Sequence, residues 1–307
     1  MARFIINVLE QGSLYAILSI AVMLTYKIIG MADMSVDGTY PLGAVVSAVF
    51  ILNGGNPWVS LIVAAFSGVL AGCMTGVLHV KLRISSLLSG ILVMTGLYSV
   101  NLIIAGGRSN LSLLNDATLF DVQWLVKFKD AAFFGFVEQY VLPYYRLIVL
   151  VMMVLLIKWA VDWLLQTKLG YLLRVTGDNE SLVVALGHDV GKVKIIALAI
   201  SNGLAALSGA VAASVGRYYD VSLGTGMVVM GLSSVMLGTL LMKKSSVKMT
   251  SMVILGSILY RFIVALAIRL GMDPQHMKLI TVVIFVVAIV LNNASLSLTF
   301  MHKKGEV

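Results

Sequence analysis

Gly177-Asp178-Asn179-Glu180 and Gly187-His188-Asp189-Val190-Gly191-Lys192 sit in a polar, charged island that runs from Thr167 to Lys194. Long apolar stretches flank it. On its C-terminal side it passes directly into the small-residue run Ile195-Ile196-Ala197-Leu198-Ala199-Ile200-Ser201-Asn202-Gly203-Leu204-Ala205-Ala206-Leu207-Ser208-Gly209-Ala210. A polar helix-and-turn inside a greasy chain with no chemistry of its own reads as the docking place of a partner.

The 307 residues are 60% hydrophobic and 12% charged, with a mean hydropathy of +1.00. A soluble domain of this length cannot hide so much apolar surface, so a bilayer must cover it. Hydrocarbon about 30 Å thick needs roughly 20 apolar residues at the helical rise. Nine stretches meet that need: about 11–29, 36–52, 58–80, 84–105, 142–165, 195–214, 225–242, 249–270 and 277–292. They are continuous rather than alternating, which selects helices over a barrel. The expected fold is therefore an all-α polytopic bundle, one domain over 1–307. Its repeat-like halves are about 11–105 and 195–292, linked by the span 142–165 and the coupling segment 167–194. The start does not read as a cleaved signal peptide, because Glu10-Gln11-Gly12-Ser13 leads into a full-length apolar run. Cys73, the single cysteine, lies inside a span and reads as a packing residue.

The net charge of +8 resides at span ends, a topology signal rather than a nucleic-acid stripe. Lys81 and Arg83, then Lys168, Arg174, Lys192 and Lys194, then Lys243, Lys244 and Lys248, then Lys303 and Lys304 all fall on one side. The other side holds Asn53 to Pro57, the segment 106–141 with Trp124 and its Phe-rich stretch, 215–224, and Gly271 to Pro274. The positive-inside rule puts the island and the C-terminus in the cytoplasm and, with an odd count, the N-terminus outside.

Asp33-Met34-Ser35-Val36-Asp37-Gly38-Thr39 follows the first span and Asp220-Val221-Ser222-Leu223-Gly224-Thr225-Gly226 the sixth. Both read Asp-x-Ser-aliphatic, and the count puts the first at the cytoplasmic side and the second at the outer side. That is the pattern of an inverted repeat, spans one to four against six to nine. The plainer alternative is that both are ordinary helix caps. Gly68, Gly72 and Gly76, at i, i+4 and i+8, give one helix face that a neighbouring backbone approaches closely. Ala199, Gly203, Ala206 and Ala210 do similar work on the sixth span.

Catalytic and metal chemistry find no residues. There is no phosphate loop, no nucleophile elbow, and the four histidines lack metal-ligand spacing. No cofactor is expected. Asp162 lies four residues after Lys158, between Trp159 and Trp163, and reads as a self-neutralised interface anchor rather than a proton relay. The polar residues that are candidates to line a path are Asp33, Ser35, Asp37, Asn101, Asp220, Ser222 and Arg261. Arg261 is about twelve residues into its span, roughly 18 Å deep. It must face a partner such as Asp37, backbone carbonyls or a substrate carboxylate, or else snorkel.

Three segments resemble the membrane subunits of ATP-binding-cassette importers, in the branch of branched-chain amino acid and ribose-type permeases. The closest resemblance is to permeases paired with lipoprotein-type binding proteins, some of which serve aromatic amino acids. The segments are Ile28 to Gly38, then Arg174 to Glu180 with Ala185-Leu186-Gly187 and Val190 to Lys194, then Ala205 to Ala210. The short N-terminus departs from the ribose-type members, which carry an extra first helix.

The resemblance implies a permease of the bacterial plasma membrane that pairs with a second copy or a sister chain and carries an amino acid or similar small polar solute. Cytoplasmic ATPase subunits would dock on 174–192, where Arg174, Gly177, Asp178, Asn179, Glu180, Leu182, Leu186, Gly187 and Gly191 are the coupling candidates. An extracytoplasmic binding protein would deliver solute, and hydrolysis would belong to the partner, not to this chain. Physically the docked segment must be a short helix, capped by Asp178 or Asn179, with an apolar face from Ser181 to Leu186. The competing readings are an ordinary cytoplasmic loop at this place and, for the whole chain, a self-sufficient secondary transporter or channel, or a structural scaffold.

Overall fold

The computed structural model describes residues 2–121, 144–242, 247–273 and 276–304. Trp124, the Phe-rich stretch after it, Lys243 and Lys244 lie outside the described residues. Helix α1 (Ala2–Met23) continues as a π-turn over Leu24–Ile29. Then come α2 (Val36–Leu52), α3 (Pro57–Val80) and α4 (Ser86–Ile104). A short strand β1 (Asn110–Ser112) precedes α5 (Tyr145–Gln166), and the island folds as α6 (Lys168–Asp178) and α7 (Glu180–Ala185). Helix α8 (Val190–Gly216) leads to β2 (Tyr218–Asp220) and a 3-10 turn over Val221–Gly224. The chain closes with α9 (Met227–Leu241), α10 (Met249–Arg269) and α11 (Met277–Lys304).

Seven helical stretches are long and apolar enough to cross a membrane, and two shorter apolar helices, Val36–Leu52 and Lys278–Leu291, coincide with the remaining expected segments. The chain is thus a multi-pass membrane helix bundle. One boundary differs from the sequence expectation. The first span does not begin near residue 11 but at Ala2, so Glu10, Gln11 and Gly12 are helical. The polar pair lines a cleft at the bundle end, while Gly12 faces inward, where a Cβ would meet Ile258. Polarity there marks a wet helix face, not a helix start.

Helix α1 runs through the centre, with Ala16, Ile17, Ile20 and Met23 fully buried. Around it the tightest seam joins α3 to α8. A Cβ on Gly68 would meet Asn202 and Ala206, one on Gly72 would meet Leu198 and Ala199, and one on Gly76 would meet Ile195. The glycine face and the alanine face anticipated from the sequence are therefore packed on each other, backbone to backbone, where dispersion substitutes for the missing hydrophobic drive. By contrast α4 is mostly unpaired, with Leu87, Leu88, Ile91, Leu92 and Ile103 exposed.

Polar clefts and a short sheet mark the two ends of the bundle. Lys27, Gln166, Arg174, Asp178 and Lys248 line one cleft at the island face, and Gly191 packs on Val80 at the end of α3. At the far face β1 pairs antiparallel with β2, placing Asn110 opposite Asp220 and Ser112 opposite Tyr218. Arg3, Glu10, Tyr144, Arg146 and Val215 line a cleft at this same face.

Candidate functional site

Between Gly30 and Ser35 the chain turns back into the bundle. Gly30, at φ +75°, closes the π-turn by donating its N–H to the Thr25 carbonyl. Asp33 then caps the turn: its Oδ1 accepts from the Ser35 N–H at 2.9 Å and the Ser35 hydroxyl at 2.6 Å. Its Oδ2 accepts from Asn202 Nδ2 at 2.7 Å. Asn202 is near the midpoint of the 27-residue α8, and its Oδ1 accepts from the hydroxyls of Ser35 and Thr39 at 3.1 and 2.5 Å. Asp33, Ser35, Thr39 and Asn202 are all buried, and each of these bonds offsets a desolvated polar group.

This depth corrects the sequence reading, which put the Asp33 turn at the membrane edge. A polar turn after an apolar run looks like a loop at the surface, but here its polar groups are satisfied by a mid-helix asparagine. Asn202 was legible only as one polar letter in a small-residue run.

The second Asp-x-Ser segment has the same local geometry. Asp220 Oδ1 accepts from the Ser222 N–H at 2.8 Å and from the Ser222 hydroxyl at 2.5 Å. Asn110 Nδ2 approaches Asp220 Oδ2 at 3.4 Å. Partial burial alone would raise the Asp220 pKa, but these bonds outweigh it and hold the carboxyl below the ordinary range. The cap reading therefore holds for Asp220, which caps the 3-10 turn, whereas in the first segment Asp33 closes the turn ahead of α2 and the N-cap Ser35 makes no side-chain cap bond.

The two segments meet through Asp37. Its carboxylate accepts from the Gly226 N–H at 2.9 Å and the Val228 N–H at 2.8 Å, where α9 begins. Four of the first N–H groups of any helix lack internal partners, and at α9 a side chain from α2 satisfies two amides at that end. Pro41 cannot donate to the carbonyl of Asp37 four residues back. Gly224 seats against that carbonyl, where a Cβ would collide. Helices α2 and α9 are both short, and both start inside the bundle with their N-terminal ends turned toward one another.

Beside this junction lies a cavity of about 380 Å³, lined by Asp37, Pro41, Thr95, Tyr98, Asn101 and Ser222, among others. Thr95 is midway along α4, so the cavity sits at mid-depth. Asn101 donates from Nδ2 to the Gly38 carbonyl at 3.2 Å, while its Oδ1 is buried without a partner. Pocket volumes of a few hundred Å³ with few convergent polar groups are those of small-molecule sites.

The structure thus divides the path candidates. Asp37, Asn101 and Ser222 share the cavity. Asp33 and Ser35 stand behind it, joined to Asn202, and Asp220 is at the far face against Asn110. Arg261 is elsewhere, on α10 facing α1, with Cζ 4.0 Å from the Tyr15 ring centroid. Among the described residues it makes no ion pair, and the carboxylate of Asp37 is bonded to the start of α9. Thr95, Tyr98 and Thr225 also line the cavity. Sequence reasoning missed them because neutral residues in an apolar run carry no signal.

The island forms a second surface. Asn179, rather than Asp178, caps α7: its Oδ1 accepts from the Leu182 N–H at 3.2 Å and from the Ser181 hydroxyl at 2.6 Å. Gly187, at φ +78°, ends it. Val183 is fully buried, whereas Leu182, Val184 and Leu186 are 47%, 63% and 61% exposed. The Glu180 carboxylate meets Lys194 Nζ at 2.6 Å and ties α7 to the first turns of α8. Asp189 caps α8 through the N–H groups of Gly191 and Lys192. Gly177 backs on the carbonyl of Ile28, where a Cβ has no room, so α6 bears directly on the π-turn of α1. Arg174 and Asp178 are on α6 and line the cleft with Lys27 and Lys248, not the apolar ridge.

Nearby, Asp162 accepts from Lys158 Nζ at 2.8 Å, as its spacing implied, and from the Thr250 hydroxyl at 2.6 Å. Lys248 Nζ lies 3.5 Å away. The anchor therefore pins α5 to α10.

A family model described as the permease component of branched-chain amino acid transport systems matches residues 4–296. The chain is 38% identical over 301 residues to the tyrosine transport system permease protein of Clostridioides difficile, covering 98% of this chain and 95% of that one. It is 30% identical to the uncharacterized protein RP368 of Rickettsia prowazekii, covering 92% and 96%. It is 24% identical to the ribose import permease protein RbsC of Escherichia coli K12, covering 94% and 84%. No solved structure matches the chain.

Proposed function

We propose, for a chain that belongs to the family of permease components of branched-chain amino acid transport systems, the role of membrane subunit in an ATP-binding-cassette importer for an amino acid. The observation that carries the proposal is α7. An apolar ridge of Leu182 and Leu186, four residues apart, stands exposed on a short, capped and buttressed helix, and Val184 is exposed on its other flank. Exposed apolar groups on a polar face are what a helix-in-groove partner covers. Basic residues concentrate at the same face, so the positive-inside rule puts α7 in the cytoplasm, where the ATPase subunits are. Gly177 against Ile28 then gives the docked segment a direct contact with α1.

On this reading the solute passes the mid-depth cavity beside α4, where Asn101 Oδ1 offers a desolvated acceptor to an ammonium group and Tyr98 an aromatic wall. The relative named for tyrosine supports an amino acid, and the exposed face of α4 suits a second copy or a sister permease enclosing the path. The paired Asp-x-Ser caps support an inverted repeat of nine crossings, with discontinuous helices meeting near the midplane. An extracytoplasmic binding protein would dock on the face that carries β1 and β2. The plasma-membrane setting, the cytoplasmic C-terminus and these partners belong to the same proposal.

A self-sufficient carrier needs intramembrane acids or an ion-coordinating broken helix, for which the Asp33–Gly38 turn is the candidate. The carboxylates of that turn already accept protein N–H and O–H groups, which weighs against that alternative. Proteoliposomes containing the permease should take up solute only with ATPase subunits, binding protein and ATP present. Uptake by the permease alone would contradict the proposal.

A further inference from the structure

Among the described residues, Arg261 is the one arginine placed deep within a span. It lies twelve residues from the start of α10 and eight from its end, and only 8% of it is exposed. Its charge is permanent. One face of the guanidinium rests on Tyr15, Nε is buried with no hydrogen-bond partner, and no carboxylate of the described residues pairs with it. A desolvated cation–π contact is worth about 2 kcal/mol, whereas burying an ion costs several. Tyr15 alone leaves the cation undercompensated.

The open side of Arg261 borders a cleft of about 450 Å³ between the N-terminal half of α1 and the C-terminal half of α10. Asn7 and Gln11 supply neutral polar groups, Phe4, Val8, Val264 and Ile268 apolar wall, and Arg269 lines the end nearest the far face. Arg269 itself lies over the Phe4 ring at 5.2 Å. The cleft holds two guanidiniums and no acidic residue in its lining. It is separate from the cavity beside α4, with which it shares no lining residue.

We propose that this cleft binds an oxyanion, carboxylate or phosphate, on the guanidinium of Arg261, with an apolar portion of the same molecule against Phe4, Val8 and Val264. A planar fork with unused N–H donors in a low-dielectric cleft is matched by such groups. Two sources have this chemistry: a solute carboxylate entering from the far face, and the phosphate of an anionic lipid in the adjacent leaflet. The proposal does not depend on the site beside α4 or on α7.

The test is thermal unfolding of the purified full-length permease in dodecyl maltoside, titrated separately with L-tyrosine, short-chain phosphatidylglycerol and short-chain phosphatidylcholine. A saturable rise in Tm is expected with L-tyrosine or with phosphatidylglycerol, and not with phosphatidylcholine. Whichever anion acts identifies the source. Arg261→Gln should weaken the half-saturating concentration by about tenfold or more, the weight of one charge-assisted hydrogen bond. Should that variant fail to fold, Asn7→Trp fills the cleft mouth from an exposed position and should give the same loss, while Asn110→Ala should not. No shift with either anion, or a shift retained in the foldable cleft variants, overturns the proposal.

Discussion

The carboxylate of Asp37 accepts the backbone N–H of Val228 at 2.8 Å across 191 residues of sequence, and that of Gly226 at 2.9 Å. The first turn of α2 thereby caps the first turn of α9. Two helices of opposite halves are fixed end to end, and the cavity beside α4 is formed at the junction.

Asp37→Ala removes both acceptors and leaves desolvated amides at the start of α9. A lost cap costs about 1–2 kcal/mol, so thermal unfolding should show a lower Tm. Asp37→Asn keeps one acceptor oxygen and should recover part of the loss. Equal Tm values for wild type and Asp37→Ala would show that the junction does not hold α9.

The α3–α8 seam predicts a contrast between two glycines. A Cβ at Gly72 would run into the Leu198 backbone, whereas one at Gly96 on α4 would meet nothing within 4 Å. Gly72→Leu should abolish the folded protein in detergent, judged by a monodisperse elution peak, because overpacking against backbone cannot relax through a rotamer. Gly96→Leu should fold normally. With the path enclosed along α4, it should nevertheless slow uptake.

Orientation is testable by thiol labelling in a Cys73→Ser background. Ser112→Cys, on β1, should react with an impermeant reagent in intact cells, and Ser181→Cys, on α7, only after permeabilisation. Labelling of Ser181→Cys in intact cells would reverse the topology and remove α7 from any cytoplasmic partner.

Much of this architecture was legible because bilayer thickness sets a length that apolar runs either meet or miss. The close packing of Gly68, Gly72 and Gly76 was also legible, since i, i+4 spacing forces a shared face. Depth was not. Asp33 and Asp37 follow an apolar run and look like a surface loop, yet Asp33 is buried and Asp37 half-buried because Asn202 and the start of α9, about 170 to 190 residues on, satisfy them. Such pairings arise from how helices pack and leave no periodic trace in the chain. The same holds for Arg261, whose partner is the face of Tyr15 rather than the carboxylate that charge matching suggests. In the island the helix and its apolar face were readable, but not which of Asp178 and Asn179 caps it. Only the backbone geometry assigned that role to Asn179.

Docking on α7 is the central claim, and Leu186→Asp tests it most directly. Leu186 is 61% exposed just past the end of α7, so a carboxylate there leaves the permease fold intact while placing a charge where the ridge enters an apolar groove. The measurement is pull-down of the cognate ATPase subunits by membrane-extracted permease, with solute uptake followed in parallel. The account predicts wild-type amounts of Leu186→Asp permease in the membrane, about tenfold or more loss of bound ATPase, as a buried unpaired charge requires, and no uptake. A Leu186→Asp permease that retains its ATPase and transports at the wild-type rate would contradict it.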